Sequence, residues 1–433
     1  QIKSFMPVNV SSAVKHEICQ QLPRSNSGCS LTSEMGPGKE DSVESVSRGV
    51  SIPDSSCACS EETIRRLAGD DQNSRRDGHE VPMGDCARMG ESETASTRPI
   101  FVPSVKRSFL SLATALQHAS EGDEIRLFPG IYVEDGLVEV HAKNVVVRAD
   151  ESSLGKTKVE VHFTGPRSSL LCNTVGFKMM DIRLIHSLDP AWNTDHWTND
   201  DETRIPLPAC INIRSGDACF ERCQITSQWK HGVIVSGNAR PSFKHCEINK
   251  RVGVAFMCQD ESAPLFLSNV LRKNKSFAIV AVDSCAGSFS GNVIDENGKC
   301  AVVCGGRASS AFLPNSIRNG LQGAFWVQKE SCCLICGNKL EKNRKAGVQV
   351  SNQSDPTVKH NHIVTGEGGG IVVHDEAKGT FTRNLIESNH RAGVGIMNQA
   401  SSVFAGNIIK KNEGLIKRTI DNGTTNRACC WKR

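Results

Sequence analysis

Between residues 211 and 413 the apolar positions of the chain recur every 23 residues. Phe220, Phe243, Phe266, Phe289 and Phe312 stand 23 apart, and the same count continues to Ile335, Val358, Phe381 and Phe404. Five residues further on runs a second apolar column: Ile225, Ile248, Leu271, Ile294, Ile317, Leu340, Ile363, Ile386 and Ile409. A third column in the same register is polar: Asn269, Asn292, Asn315, Asn338, Asn361, Asn384 and Asn407, with Cys223 and Cys246 ahead of it. Three columns that share one period define a repeat protein.

The period selects the architecture. Helical repeats need about 33 residues or more to hold two helices, and the leucine-rich consensus is missing. The apolar residues come in alternating bursts such as "GVQV", "GIVV" and "GVGI", which suit strands. Gly, Asn and Ser between them form turns. Several short strands per 23-residue unit, stacked in register, predict the coils of a parallel β-helix, and nine coils spaced ~4.8 Å apart make a rod roughly 40 Å long. The Phe column fills the interior, and the Asn column forms a ladder at a corner between strands.

The flanks differ. Residues 1–99 are rich in Ser, Gly and charge and carry no period; 11 basic and 15 acidic residues give them −4, so the rest of the chain carries +8 of the total +4. Such composition predicts disorder. The chain starts at Gln1, which fits a fragment or a processed product, and no apolar run reads as a signal peptide or a membrane span. A cytoplasmic, or else nuclear, protein is expected. Order is expected from residue 100, where Phe109, Leu112 and Leu116 share one face of a short capping helix over the first coil. After Asn412 the period stops, and residues 414–433 form a basic tail.

The opening "SLATALQHASEGDEIRLFPGIYVE" resembles the first turn of the pectin-lyase-like right-handed β-helices. The recurring "GVxV…F…GNxIxxN" is similar to repeats of carbohydrate-binding proteins and sugar hydrolases, and among intracellular proteins to the β-helix-bearing F-box proteins and the Shc SH2-domain-binding protein group. The resemblance covers residues 100–413. It implies an all-β chain, a single-stranded right-handed parallel β-helix of 23-residue coils with a short N-terminal capping helix.

Four features bear on function. An insertion at 186–208 breaks the period: Asp181 and Cys223, taken as equivalent, lie 42 apart, 19 more than one coil. It carries Trp192 and Trp197 among acidic residues, and a loop on a rigid scaffold is a common carrier of binding. Second, alternation in the strand after the Gly/Ala position turns Val233, Phe256, Ile279, Val302 and Phe325 inward. Ile234, Met257, Val280, Val303, Trp326, Gln349, Val372 and Gly395 then face out, mostly as an apolar stripe of the kind that is covered or used for partner binding. Third, Asp260 and Asp283, with Asp375 four coils later and Lys329 between, share one column; two carboxylates ~5 Å apart suit a retaining glycosidase, and Asp suits a turn equally. Fourth, Cys258 and Cys304 occupy an inward column as small hydrophobes, and Cys333-x-x-Cys336 lacks a second pair at zinc spacing.

These features predict a non-catalytic protein-interaction scaffold or adaptor, bound through Met257, Val280, Val303 and Trp326 and through Trp192 and Trp197. The resemblance implies substrate recognition in ubiquitin or signalling pathways. The residues leave a second reading open, a polysaccharide-binding or polysaccharide-cleaving protein with Asp260, Asp283 and Asp375 as its carboxylates. No cofactor, metal or membrane is expected, and nucleic acid is not the expected partner.

Overall fold

The computed structural model describes residues 100–418, apart from 151–157, 166–167, 188–208, 229–230 and 250–252. The Ser/Gly-rich region 1–99, Trp192 and Trp197 in the insertion, and the end of the basic tail lie outside the described residues. Each coil gives one strand to each of three twelve-stranded sheets. Sheet I runs from Glu124–Leu127 to Val403–Ala405, sheet II from Gly130–Glu134 to Ile408–Lys410, and sheet III from Leu137–Val140 to Gly414–Arg418. Neighbouring strands in all three are parallel, and the coils wind right-handed, as twisted parallel strands require.

The register shows where the 23-residue period is kept. Phe220 pairs with Phe243 and Phe243 with Phe266, and so on to Phe381 with Phe404. Two earlier advances in sheet I are longer: Val146 pairs with Lys178, 32 residues on, and Lys178 with Cys219, 41 residues on. Arg183 pairs with Gln224, so the counterpart of Cys223 is Ile182 rather than Asp181, and the insertion exceeds one coil by 18 residues, not 19. The N-terminal segment also differs from expectation in one residue. The helix spans Leu112–His118 and buries Leu112, Ala115 and Leu116. Phe109 lies outside it, in an antiparallel pair of strands, with its ring stacked on His118 at 4.7 Å. Ser111 caps the helix by accepting from the amide of Thr114. The buried carboxylate of Glu134, from the first coil, accepts from the amides of Leu112 and Ala113 and from the Ser111 hydroxyl, which ties the cap to the solenoid.

Inside the coils the Phe column is dry. Phe220 and Phe243 stack at 4.8 Å, Phe289 and Phe312 at 4.9 Å, and Phe381 and Phe404 at 4.6 Å. Phe256 enters from sheet III and tilts Phe266 out of parallel, at 4.6 Å and 51°. Burial of each ring contributes about 1.5–3 kcal/mol.

Two corners are built alike. Between sheets I and II stands one residue with left-handed backbone (Arg222, His245, Ser268, Gly291, Gly337, His360, Arg383, Gly406), followed by the ladder residue. The Asn292 carbonyl oxygen accepts from the backbone amide of Asn269 at 2.8 Å and from its side-chain amide at 3.2 Å, while Asn292 Nδ2 donates to the Phe266 carbonyl at 3.1 Å. The pattern repeats through Asn407. At its start Cys246 offers its amide to Asn269 and its thiol to the Phe220 carbonyl. A second ladder holds the corner between sheets II and III: Asn274 on Asn297 and Asn389 on Asn412, with glycine at 320 and 366 donating a backbone amide to Asn343 and Asn389. A Cβ at Gly320 would stand 2.9 Å from Asn343 Oδ1, so the smallest residue keeps that rung closed.

Replacing Asn338 by Ala strands the Asn315 amide and removes the bonds to Phe312 and Asn361. Urea denaturation is expected to show a loss of about 3 kcal/mol.

Candidate functional site

The third corner, between sheet III and sheet I, carries no ladder of asparagines among the described residues, and its side chains vary. In successive coils it holds Asp260-Glu261, Asp283-Ser284, Gly306-Arg307, Lys329-Glu330, Asn352-Gln353, Asp375-Glu376 and Asn398-Gln399. From Lys329 onward both residues of every pair have left-handed backbone. Such backbone is uncommon outside glycine. Here coil-to-coil bonds hold it: the amide of Glu330 donates to the Asn352 carbonyl at 3.2 Å, that of Gln353 to Asp375 at 3.3 Å, and that of Glu376 to Asn398 at 3.0 Å. These four stacked turns line an open groove of about 600 Å³.

The groove is polar. One lysine, Lys329, faces the three carboxylates of Glu330, Asp375 and Glu376, with Asn352, Gln353, Asn398 and Gln399 between. The side chains bond along the groove, Gln353 donating to Glu376 at 2.8 Å and Asn398 to Asp375 at 3.0 Å. Just behind lies His374, 4% exposed. Its Nδ1 is 2.8 Å from Asp375 Oδ2, and its Nε2 is 3.0 Å from the Gln349 amide nitrogen. Because that amide nitrogen can only donate, Nε2 accepts and Nδ1 carries the proton toward Asp375. Trp326, half-buried on the adjoining outer face of sheet III, donates its indole N–H to Ser351 Oγ at 3.4 Å. Trp326, Gln349 and Val372 are register partners there.

The structure separates the sequence candidates. Asp260 and Asp283 stand on adjacent coils, and each caps the turn before it: Asp260 accepts from the amide of Gly237 at 2.8 Å and Asp283 from that of Asp260 at 3.4 Å. Asp375 instead lies in the groove, four coils from Asp283. Burial pushes the Asp283 carboxyl above the usual aspartate range and the nearby Asp260 charge adds to this, against the amide bond and Lys329. Met257, Val280 and Val303 share the register of Trp326, but they are only 0–5% exposed while lying outside the contiguous core cluster. Alternation therefore places them on the outer face, and that stretch of the face is covered. Cys258 and Cys304 are buried as free thiols inside the solenoid.

Residues 209–317 and 307–427 match the model of the right-handed β-helix region, half of the chain, and the protein belongs to that family. Among solved structures it is similar to the A-module of the mannuronan C-5 epimerase AlgE4 of Azotobacter vinelandii. That match has 12% identity over 70% of this chain and 91% of that one, with a TM-score of 0.52. The periplasmic alginate epimerase AlgG matches at 13% identity over 69% and 82%, TM-score 0.48. An alginate lyase solved in complex with a trisaccharide matches at 11% over 71% and 82%, TM-score 0.42. The likeness to the AlgE4 module shows the fold alone. No curated protein sequence matches significantly.

Asn352 and Asn398 occupy the column of Asp283, so Asp283→Asn fits the turn and keeps an oxygen for the Asp260 amide. A carboxyl whose folded pKa is raised favours folding below its unfolded pKa and opposes it once ionised. Thermal melts should therefore show Asp283→Asn more stable than the parent at neutral pH. The difference should fade as pH falls through the raised folded value towards the ordinary aspartate value of 3.8, and be gone below it.

Proposed function

We propose that this protein binds a polysaccharide of low charge along the corner between sheets III and I and the adjoining outer face around Trp326. The observation that carries this reading is the open groove over four coils, lined by amides and carboxylates and flanked by a half-buried indole. Asn, Gln, Asp and Glu side chains present both donors and acceptors to hydroxyl groups, and an aromatic face suits the apolar side of a sugar ring. The repeat offers a pair of polar side chains at the same geometry on four successive coils, as binding along a polymer requires.

Charge selects the class of polymer. With Lys329 against Glu330, Asp375 and Glu376, the groove has a formal excess of two negative charges (one minus three), and Asp260, Glu261 and Asp283 outnumber Arg307 on the corner before it. That field disfavours polyuronates and favours neutral or amine-bearing glycans.

Binding rather than cleavage accounts for the site. The Asp260 and Asp283 carboxylates cap backbone turns, and both ring nitrogens of His374 are engaged. The adaptor reading relied on an exposed apolar stripe, and Trp326 is the member of Met257, Val280, Val303 and Trp326 that is open to a ligand.

Affinity electrophoresis of the full chain through a panel of neutral, amine-bearing and uronic-acid polysaccharides tests the proposal. At least one neutral or amine-bearing polymer should retard it, and Trp326→Ala should weaken that retardation about tenfold or more. Equal mobility in every gel, or retardation that ignores Trp326→Ala, would sink the reading.

A further inference from the structure

A second cavity lies at another corner of the solenoid and has the opposite charge. Between sheets I and II, Lys359, His360, Thr382, Arg383, Ala405 and Gly406 line a hollow of about 530 Å³. Lys359, Thr382 and Ala405 are register partners on three successive strands of sheet I. His360, Arg383 and Gly406 follow them, one left-handed residue per coil. Glycine at 337 and at 406 brackets His360 and Arg383 in this column, so no side chain of either bracketing residue competes for the hollow.

What distinguishes the hollow is missing compensation. Arg222 occupies the same column seven coils earlier. Its guanidinium grips both oxygens of Asp181, at 2.7 and 2.9 Å, and also meets Glu221. Where Arg222 has Glu221 beside it and Asp181 on the coil before, Arg383 has Thr382 beside it and His360 on the coil before. Among the described residues no carboxylate pairs with Lys359, His360 or Arg383. Burial, and then the positive charges of Arg383 and Lys359, hold the His360 imidazole below the usual histidine range.

We propose that this hollow is a binding site for a tetrahedral oxyanion, a sulfate or phosphate monoester group carried by a larger ligand. Arg383 supplies a planar fork for two oxygens, Lys359 a mobile point charge, and Thr382 a neutral hydroxyl. His360 takes up a proton as the anion enters, because the incoming negative charge offsets the repulsion from Arg383 and Lys359. The cavity exceeds a bare anion and leaves room for the group that carries it. The site is independent of the polysaccharide groove, which lies at a different corner.

Inorganic sulfate and inorganic phosphate are the probes, titrated into the full chain with sodium chloride at matched ionic strength as reference. Calorimetry and the His360 ring resonances, assigned with His360→Gln, are the readouts. Saturable binding of either anion is expected, together with a rise in the His360 pKa and stronger binding below the ordinary histidine range than above it. Arg383→Gln should weaken binding about tenfold or more, and Arg222→Gln should leave it unchanged. Circular dichroism establishes that each variant folds, and His360→Gln serves as the second variant if Arg383→Gln does not. The proposal fails if the His360 resonances respond to sulfate and phosphate only as they do to chloride. It fails equally if the loss in Arg383→Gln is matched by Arg222→Gln.

Discussion

The solenoid depends on one constraint: from Cys219 up to the last coil, each strand residue must find its counterpart 23 positions away. Hydrogen bonds between coils run through the strands and also through the corners, where asparagine amides and left-handed residues continue the pairing. A residue added at a laddered corner would displace an oxygen that serves two donors at once. The long coils are consistent with this. The extra residues after Ala149 and after Ser187 fall before Asn269 and Asn274, where the ladders begin. Beyond that point the register advances by 23 until the final strand of sheet III, where Val394 pairs with Ile416, 22 residues on.

This constraint explains which parts of the protein were legible in its sequence. Inward columns such as Phe220 to Phe404 repeat because each side chain packs on its own equivalent, so the period and fold class appear directly as letters. The second ladder was harder to see, since Gly320 and Gly366 interrupt Asn274, Asn297, Asn343 and Asn389, and backbone amides complete the rungs there. Phe109 showed helical spacing to Leu112, yet the helix begins only after the Ser111 cap, and cap geometry overrides spacing. Alternation gave Met257, Val280 and Val303 a direction but could not say that they are buried. The grooves were least legible, because they depend on how neighbouring coils combine unlike side chains and not on any recurring letter.

The division of labour between corners follows. Two corners spend their polar groups on holding coils together. From Lys329 onward the third is held by backbone bonds between left-handed pairs, which frees its side chains to differ from coil to coil. Lys329, Asn352, Asp375 and Asn398 can therefore present different chemistry at one geometry. Charge then varies around the rod: an acidic corner beside sheet III, and an uncompensated basic hollow between sheets I and II.

The first ladder also has a direction. Each asparagine oxygen takes hydrogen bonds from the coil before it, and each amide nitrogen reaches both back to a carbonyl and forward to the next oxygen. The chain of amides from Asn269 to Asn407 is thus polarised one way, each bond strengthening its neighbours. A cut at a central rung would leave two intact stretches, each still cooperative within itself. The rod would then melt as two shorter blocks instead of one, and the break would be set by a single buried amide.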